Sequence, residues 1–343
     1  MRSRQARVRS GETQSRFAVS QELLPGDPDP HPNSVLCGDA RQLLSSVPTE
    51  SVHLVVTSPP YWNLADYEHE GQIGQDSYSE YLAALEEVWR ECERLLVPNG
   101  KLCINTPIVP VPKSENGEQH TRELKNLNND IEATILSTTS LARFSLYVWQ
   151  KQTTEKMFGS YPYPPNIYEN NTIEFINVFV KPGKPRKLAS EVKEANRLSQ
   201  SEWMDLTRQV WWMYPEDVSR TALHPAPFPE LLPLRLIKMY TFGSVSEVGF
   251  EGDIVLDPFS GTGTTAVAAK ILGRRYIAAD ISPTYTDYTI RRLQVTVENR
   301  KFDVRLKRLA DSDRALEAAQ PSLFLNTEDT TASAVSDFSG ARG

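Results

Sequence analysis

The chain has 343 residues, 37 Lys and Arg against 44 Asp and Glu, a net charge of -7, 39% hydrophobic and 24% charged residues. At about 150 residues per domain this makes one or two domains, large enough to bury a core without disulfides or metal. No run approaches the roughly 18 apolar residues of a membrane helix, and Cys37, Cys92 and Cys103 lack the CxxC spacing of a zinc ribbon and are too few for a disulfide scaffold.

The chain opens on an Arg-rich, flexible arm and a Pro-rich linker over 1–32, with no apolar signal-peptide region. The folded body divides into parts over 33–181, 182–210 (a short insertion) and 211–310, before an acidic, disordered tail over 311–343. Val52–Thr57 is a buried strand. Residues 77–96 place Tyr81, Leu82, Leu85, Val88, Trp89, Cys92, Leu95 and Leu96 on one stripe, which predicts an amphipathic helix that stops at the breakers Val97–Gly100. Lys101–Asn105, Phe144–Gln150 and Thr172–Val180 are further strands. Gly252–Asp257 enters a glycine-rich turn, with a helix over Thr264–Leu272, a strand over Arg275–Asp280, and a helix start at Ser282-Pro283. Alternating strands and helices predict a mainly parallel sheet covered on both faces.

The turn Asp257-Pro-Phe-Ser-Gly-Thr-Gly-Thr-Thr265 joins a strand to a helix. Gly261 and Gly263 permit a tight turn and close backbone approach to a ligand. Asp280 ends the next strand, where a carboxylate accepts hydrogen bonds from ribose hydroxyls. The unit therefore binds a nucleoside cofactor, and without a Lys after the last Gly it is not a phosphate-binding Walker loop. NAD and S-adenosylmethionine (AdoMet) both fit this local pattern; Asp257 tilts it toward AdoMet, because a carboxylate faces a cationic amine but repels a pyrophosphate.

Ser58-Pro-Pro-Tyr61 follows a buried strand directly. Its prolines fix two φ angles and remove two donors, which frees backbone carbonyls to point into a cleft. Together with the Ser58 hydroxyl and the Tyr61 ring, they form a pocket for an exocyclic amino group on a flipped base. A rigid turn under a core tyrosine is the plainer alternative.

These two segments closely resemble the amino-methylating DNA methyltransferases, which move a methyl from AdoMet to cytosine N4 or adenine N6. The tetrapeptide precedes the AdoMet turn, as in the permuted β group of restriction–modification enzymes. The resemblance implies the Rossmann-like AdoMet-dependent methyltransferase fold: an α/β, seven-stranded sheet, mostly parallel with Thr172–Val180 as the one antiparallel strand, and helices on both faces. It implies catalytic roles for Ser58, Pro59, Pro60 and Tyr61. It implies cofactor contacts from Asp257, Pro258, Phe259, Ser260, Gly261, Thr262, Gly263, Thr264 and Thr265, with Asp280 on the ribose and Asp39 of Cys37-Gly-Asp39 near the adenine. His224–Phe228 would lie near the methionine end.

Ser at the first position of the tetrapeptide favours cytosine N4, with adenine N6 as the alternative and a non-catalytic AdoMet- or DNA-binding regulator behind both. The 5-methylcytosine route needs a Pro-Cys nucleophile, and no cysteine here follows a proline. The implied substrate is double-stranded DNA, with a cognate restriction endonuclease as a further partner. The expected setting is the cytoplasm of a bacterium, archaeon or phage host, as a monomer or homodimer, without a membrane and without a metal.

Residues 62–78 suit a mobile lid. The basic stretch 181–197, with Lys181, Lys184, Arg186 and Lys187, suits phosphate contacts. Loops 106–126 and 153–171 are expected to share DNA recognition, with Tyr161, Tyr163 and Tyr168 as candidate wedges, although for any single one of them packing is the commoner role. Trp211-Trp212 is more often core than DNA contact. The net charge excludes tight, non-specific coating of DNA.

Overall fold

In this computed structural model the described residues are 32–62, 71–75, 77–111, 123–151, 158–214 and 228–297. The Arg-rich arm, most of the proposed lid, residues 224–227 and the acidic tail lie outside them. All described residues belong to one compact unit, Met1–Phe302.

The sheet strands are β1 (Ser34–Cys37), β2 (Val52–Thr57), β3 (Leu96–Thr106), β4 (Ala142–Lys151), β5 (Ile173–Val180), β6 (Val210–Met213), β7 (Ile254–Asp257) and β8 (Arg275–Asp280). They lie side by side in the order β1-β8-β7-β2-β3-β5-β4-β6. β5 pairs antiparallel with both β3 and β4, and the other pairings are parallel. The expected seven strands are thus corrected to eight. Neither edge strand, β1 nor β6, is among the six strands read from the sequence, and the four residues of β6 pair in register with Val148–Lys151. Tryptophans 211 and 212 stand on it: Trp211 is buried and stacks on Tyr147 with ring centroids 4.7 Å apart.

The helices are α1 (Ala40–Leu43), α2 (Tyr78–Leu95), α3 (Leu127–Thr138), α4 (Ser190–Ala195), α5 (Gln200–Leu206), α6 (Leu231–Tyr240), α7 (Thr264–Ile271) and α8 (Pro283–Val295). Alternation along the strands sends neighbouring side chains to opposite faces of the sheet. Leu36, Leu102, Ile104, Leu256, Ile277 and Ala279 face one cluster with Leu85, Trp89 and Cys92 of α2 and Ile131 and Ile135 of α3. Ala278 faces the other cluster, with Ala266 and Val267 of α7 and Leu293 of α8.

α2 begins at a capping box in which Ser77 and Glu80 satisfy each other's backbone donors. The breakers after it end the helix, and the chain continues as β3 with Asn99 at φ 66° and a register shift against β2. No described helix is long and apolar enough to cross a membrane.

Candidate active site

β7 lies beside β2 in parallel, with Leu256 opposite Val55. Their C-terminal ends therefore deliver the turn at 257–263 and the tetrapeptide at 58–61 to the same place, although they are far apart in sequence. Thr57 Oγ1 donates to Asp257 Oδ1 at 2.7 Å, with both residues buried. Phe259 N donates to the same oxygen at 3.1 Å. Burial pushes the Asp257 carboxyl up to about 6, against the pull of the hydrogen bonds from Thr57, Thr265 and Phe259.

The glycine turn is braced from behind by α8. Gly261 and Gly263 have φ of 50° and 78°. A Cβ on Gly263 would lie 2.3 Å from Thr289 Cγ2. Thr289 Oγ1 donates to Gly261 O at 3.1 Å, and Arg292 Nη1 donates to Thr262 O at 2.7 Å. Asp280 holds the front of the turn: its Oδ2 accepts from Gly261 N at 2.7 Å and its Oδ1 from Ser282 N at 2.9 Å.

An open cleft lies where the two turns meet. It is lined by Asp39, Ser58, Pro59, Pro60, Tyr61, Pro258, Phe259, Ser260, Gly261, Thr262, Thr264 and Asp280, with Gly71, Gln72, Ile73 and Phe228 completing the wall. Asp257, Gly263 and Thr265 stand behind that wall and shape it. Asp39 caps α1 through Arg41 N at 2.9 Å and is gripped by the Arg41 guanidinium. Burial alone would raise its carboxyl, but the Arg41 bonds outweigh burial and hold it below the usual range.

The charged side chains lining the cleft are Asp39 and Asp280, and among the described residues no cation lines it. Ser260 Oγ is buried without a hydrogen-bond partner. Two carboxylates and no lining cation disfavour a pyrophosphate, and Asp39 and Asp280 offer acceptors for the amino and hydroxyl groups of a nucleoside. Cys92 and Cys103 are buried away from this wall, and burial drives both thiols well above their usual range.

The tetrapeptide is anchored from three sides. Tyr81 Oη of α2 donates to Pro60 O at 2.9 Å. Ser58 Oγ lies 2.7 Å from Tyr61 Oη and donates to Asn105 O at 3.0 Å. Tyr61 Oη also donates to Glu174 Oε2 at 3.2 Å. Asn105 Nδ2 donates to the same carboxylate oxygen, and Lys151 Nζ lies 2.6 Å from Glu174 Oε1. Sequence reasoning placed Asn105 and Glu174 on strands and Lys151 just past the end of one, but gave them no role. Their signal was polar residues at the ends of otherwise apolar strands.

The basic segment is not brought to the cleft. Lys181 follows β5, which runs backwards, so the chain leaves the sheet at the N-terminal ends of β2 and β7. Lys181 Nζ donates to Leu96 O at 2.8 Å and pairs with Glu50 at 3.3 Å. Arg186 pairs with the buried Asp253 and lies 2.7 Å from His53 Nε2. His53 and Ser58 are five residues apart on an extended chain, roughly 17 Å at 3.3 Å per residue. Lys184 and Lys187 are exposed in the same segment. What does emerge at the cleft end, between β4 and β5, is a hairpin pairing Phe158-Gly159 with Ile167-Tyr168. Tyr161, Tyr163 and Ile167 are 72%, 73% and 74% exposed there.

The family model of the N6/N4 DNA methylases matches residues 52–291. This chain belongs to that family of DNA methylases. It is 31% identical over 288 residues to the Type II methyltransferase M.MjaI of Methanocaldococcus jannaschii, covering 73% of this chain and 87% of the relative. TTHA0409 of Thermus thermophilus, solved in complex with S-adenosyl-L-methionine, is 34% identical, with a TM-score of 0.61 over 76% of this chain and 93% of that one. The PvuII DNA methyltransferase, described as cytosine-N4-specific, shares the fold at 18% identity, with a TM-score of 0.55 over 82% of this chain and 93% of that one.

Proposed function

We propose that this chain transfers a methyl group from AdoMet to the exocyclic N4 amino group of a flipped cytosine in double-stranded DNA, as the modification arm of a restriction–modification system. The observation that carries the reading is the shared cleft: Ser58–Tyr61 and Pro258–Thr262 line one space, with Thr57 bonded to Asp257 behind it. The anionic wall supports AdoMet as cofactor, as does the AdoMet complex of the Thermus relative.

Pro258–Thr262, Thr264 and Asp280 would hold the cofactor, with Asp39 toward its adenine. When bound, AdoMet supplies an electrophilic methyl on a sulfonium. The work of the chain is to make a poor nucleophile point at it. The cytosine amino nitrogen shares its lone pair with the ring. Ser58 Oγ and the Pro59 carbonyl accept its two N–H bonds, which draws the nitrogen toward a tetrahedral shape and localises the lone pair. The Tyr61 ring stacks on the base, so rate comes from positioning and fixed dipoles rather than covalent catalysis. Ser58 is neutral, in keeping with a proton that leaves only as the methyl group arrives.

DNA would approach the C-terminal ends of the strands. There the hairpin 158–168 offers Tyr161 and Tyr163 as stacking surfaces. The basic residues 181–187 face the other end of the sheet, so we assign recognition first to the hairpin. Incubation with labelled AdoMet and unmodified DNA, followed by mass analysis of nucleosides, tests the reading. N4-methylcytosine is expected; N6-methyladenine overturns the choice of base, and no transfer overturns the activity.

A further inference from the structure

Behind the tetrapeptide lies a chain of hydrogen bonds that ends on a buried, ion-paired carboxylate. Given the methyl-transfer reading above, we propose that Glu174, acting through Tyr61 and Ser58, accepts the proton that the target amino group sheds on methylation.

The geometry is a continuous path of oxygen atoms leading away from the cleft. Ser58 Oγ lines the cleft and lies 2.7 Å from Tyr61 Oη, which lies 3.2 Å from Glu174 Oε2. Glu174 is only 5% exposed. Lys151 Nζ, 2.6 Å from Oε1, compensates its charge, and the ammonium also sits 5.5 Å from the centroid of the Trp149 ring. An ionised carboxylate can only accept hydrogen bonds. It therefore sets the direction of the path: Tyr61 donates to Glu174, and Ser58 donates to Tyr61. The lone pairs of Ser58 Oγ then face the cleft, which is the polarity an incoming N–H requires. Donation by Ser58 to Asn105 O at 3.0 Å is the competing arrangement. The Asn105 amide, donating to Glu174 Oε2, completes the cage.

Reading the path as packing alone leaves its composition unexplained. A buried ion pair carries a desolvation cost that an apolar pair of the same volume avoids, and an apolar pair would hold the Tyr61 ring as well. Among the described residues, the titratable groups facing Glu174 are Lys151 from β4 and Tyr61 from the turn after β2; β3 contributes the neutral Asn105.

The step balances. With AdoMet bound, the nitrogen–methyl bond would form as the methyl–sulfur bond breaks, so the sulfonium charge would pass to the amino nitrogen and leave a neutral thioether. Its N–H proton passes to Ser58 Oγ, the Ser58 hydroxyl proton passes to Tyr61 Oη, and the Tyr61 proton passes to Glu174 Oε2. Three bonds to hydrogen break and three form. The product amine is neutral, Ser58 and Tyr61 are regenerated, and Glu174 goes from anion to acid beside an unchanged Lys151 ammonium. Glu174 returns the proton to water once the product leaves. The target touches Ser58, so Glu174 is a positioning and relay residue rather than a catalytic one.

The test compares wild type, Glu174→Gln and Tyr61→Phe in single-turnover methyl transfer across pH 6 to 9, with AdoMet affinity by calorimetry and DNA affinity measured on each. Gln keeps the shape and the acceptor oxygen but takes no proton. Phe cuts the path without touching the Glu174–Lys151 pair, and it serves if the Gln variant does not fold. We expect a flat wild-type profile. Each variant should lose about 100- to 1000-fold at neutral pH, with a rate that climbs as pH rises because solvent base takes the proton, while AdoMet affinity stays within about twofold. A variant profile parallel to wild type, whatever its height, overturns the relay. Absence of transfer by the wild type overturns the methyl-transfer reading instead.

Discussion

The Thr57 hydroxyl and the Asp257 carboxylate stand 200 residues apart in sequence and share a buried hydrogen bond of 2.7 Å. Thr57 is the residue before the tetrapeptide, and Asp257 opens the glycine turn. Their bond fixes the two halves of the cleft in register, because β2 and β7 are sheet neighbours. Thr57→Val keeps the shape and removes the donor. We expect a loss of about 1–3 kcal/mol in urea unfolding, the cost of a buried acceptor left short of a donor, with weakened AdoMet binding. Thr57→Ser should restore most of both.

Two buried groups give stability an opposed dependence on pH. The Asp257 carboxyl is pushed up to about 6 from 3.8 by burial, so the folded state holds that proton more tightly. Its stabilising contribution is full below 3.8 and is lost as pH rises through 6. The His53 imidazole is pushed down to about 4 from 6.5, again by burial, against the attraction of Asp253. Its contribution is full above 6.5 and is lost as pH falls toward 4. Urea unfolding at about pH 7 and about pH 4.5 separates them. Relative to wild type, Asp257→Asn should lose about 1–3 kcal/mol more on acidification, and His53→Gln about 1–3 kcal/mol less. Parallel behaviour of all three proteins would contradict both assignments.

Gly263 is held by its neighbour as much as by its backbone. Its φ of 78° disfavours a side chain, and an added Cβ would press on Thr289 at 2.3 Å. Gly263→Ala should cost about 1–3 kcal/mol and abolish measurable AdoMet binding. Adding Thr289→Ala should recover part of the stability, but not all, since the strained φ remains and Gly261 O loses its donor. Thermal melts and calorimetry on the single and double variants check this.

Arg186 and the hairpin tyrosines divide stability from DNA contact. Arg186→Ala leaves the buried Asp253 without its guanidinium, and should cost about 2–3 kcal/mol of stability with little change in the salt dependence of DNA binding. Tyr161→Ala with Tyr163→Ala should weaken DNA binding by about 1–3 kcal/mol per stacked base and leave stability and AdoMet affinity intact. Fluorescence anisotropy at several salt concentrations, with urea melts, reads both. The reverse pattern would return recognition to the basic segment.

Much of this architecture is legible in sequence where local pattern and final environment agree. Val52–Thr57 and Arg275–Asp280 are apolar runs because neighbouring strands flank them and helices cover both faces, and α8 starts at Pro283 as expected, although the Ser282 side chain makes no capping hydrogen bond. β6 escapes because four residues at a sheet edge, with Val210 41% exposed beside buried Trp211, carry too short a period to separate strand from loop. The composition of the cleft is legible in its two motifs, since both are local in sequence. The path to Glu174 is not: it depends on the antiparallel register that sets Trp149 opposite Glu174 and Asn105 opposite Ile176. Arg186 misleads for the same reason. A basic run looks like a phosphate site until its partner is known, and Asp253 lies 67 residues further along.

Ser58 directing a cytosine amino group into the cleft it shares with the glycine turn is the central step. The most direct measurement runs wild type and Ser58→Ala side by side in single-turnover reactions on unmodified duplex DNA, with nucleosides resolved by mass and AdoMet affinity measured on both proteins. We expect N4-methylcytosine from the wild type, a transfer rate at least about 100-fold lower for Ser58→Ala, and AdoMet affinity unchanged within about twofold. N6-methyladenine as the product, or an undiminished rate from Ser58→Ala, would overturn that role for Ser58.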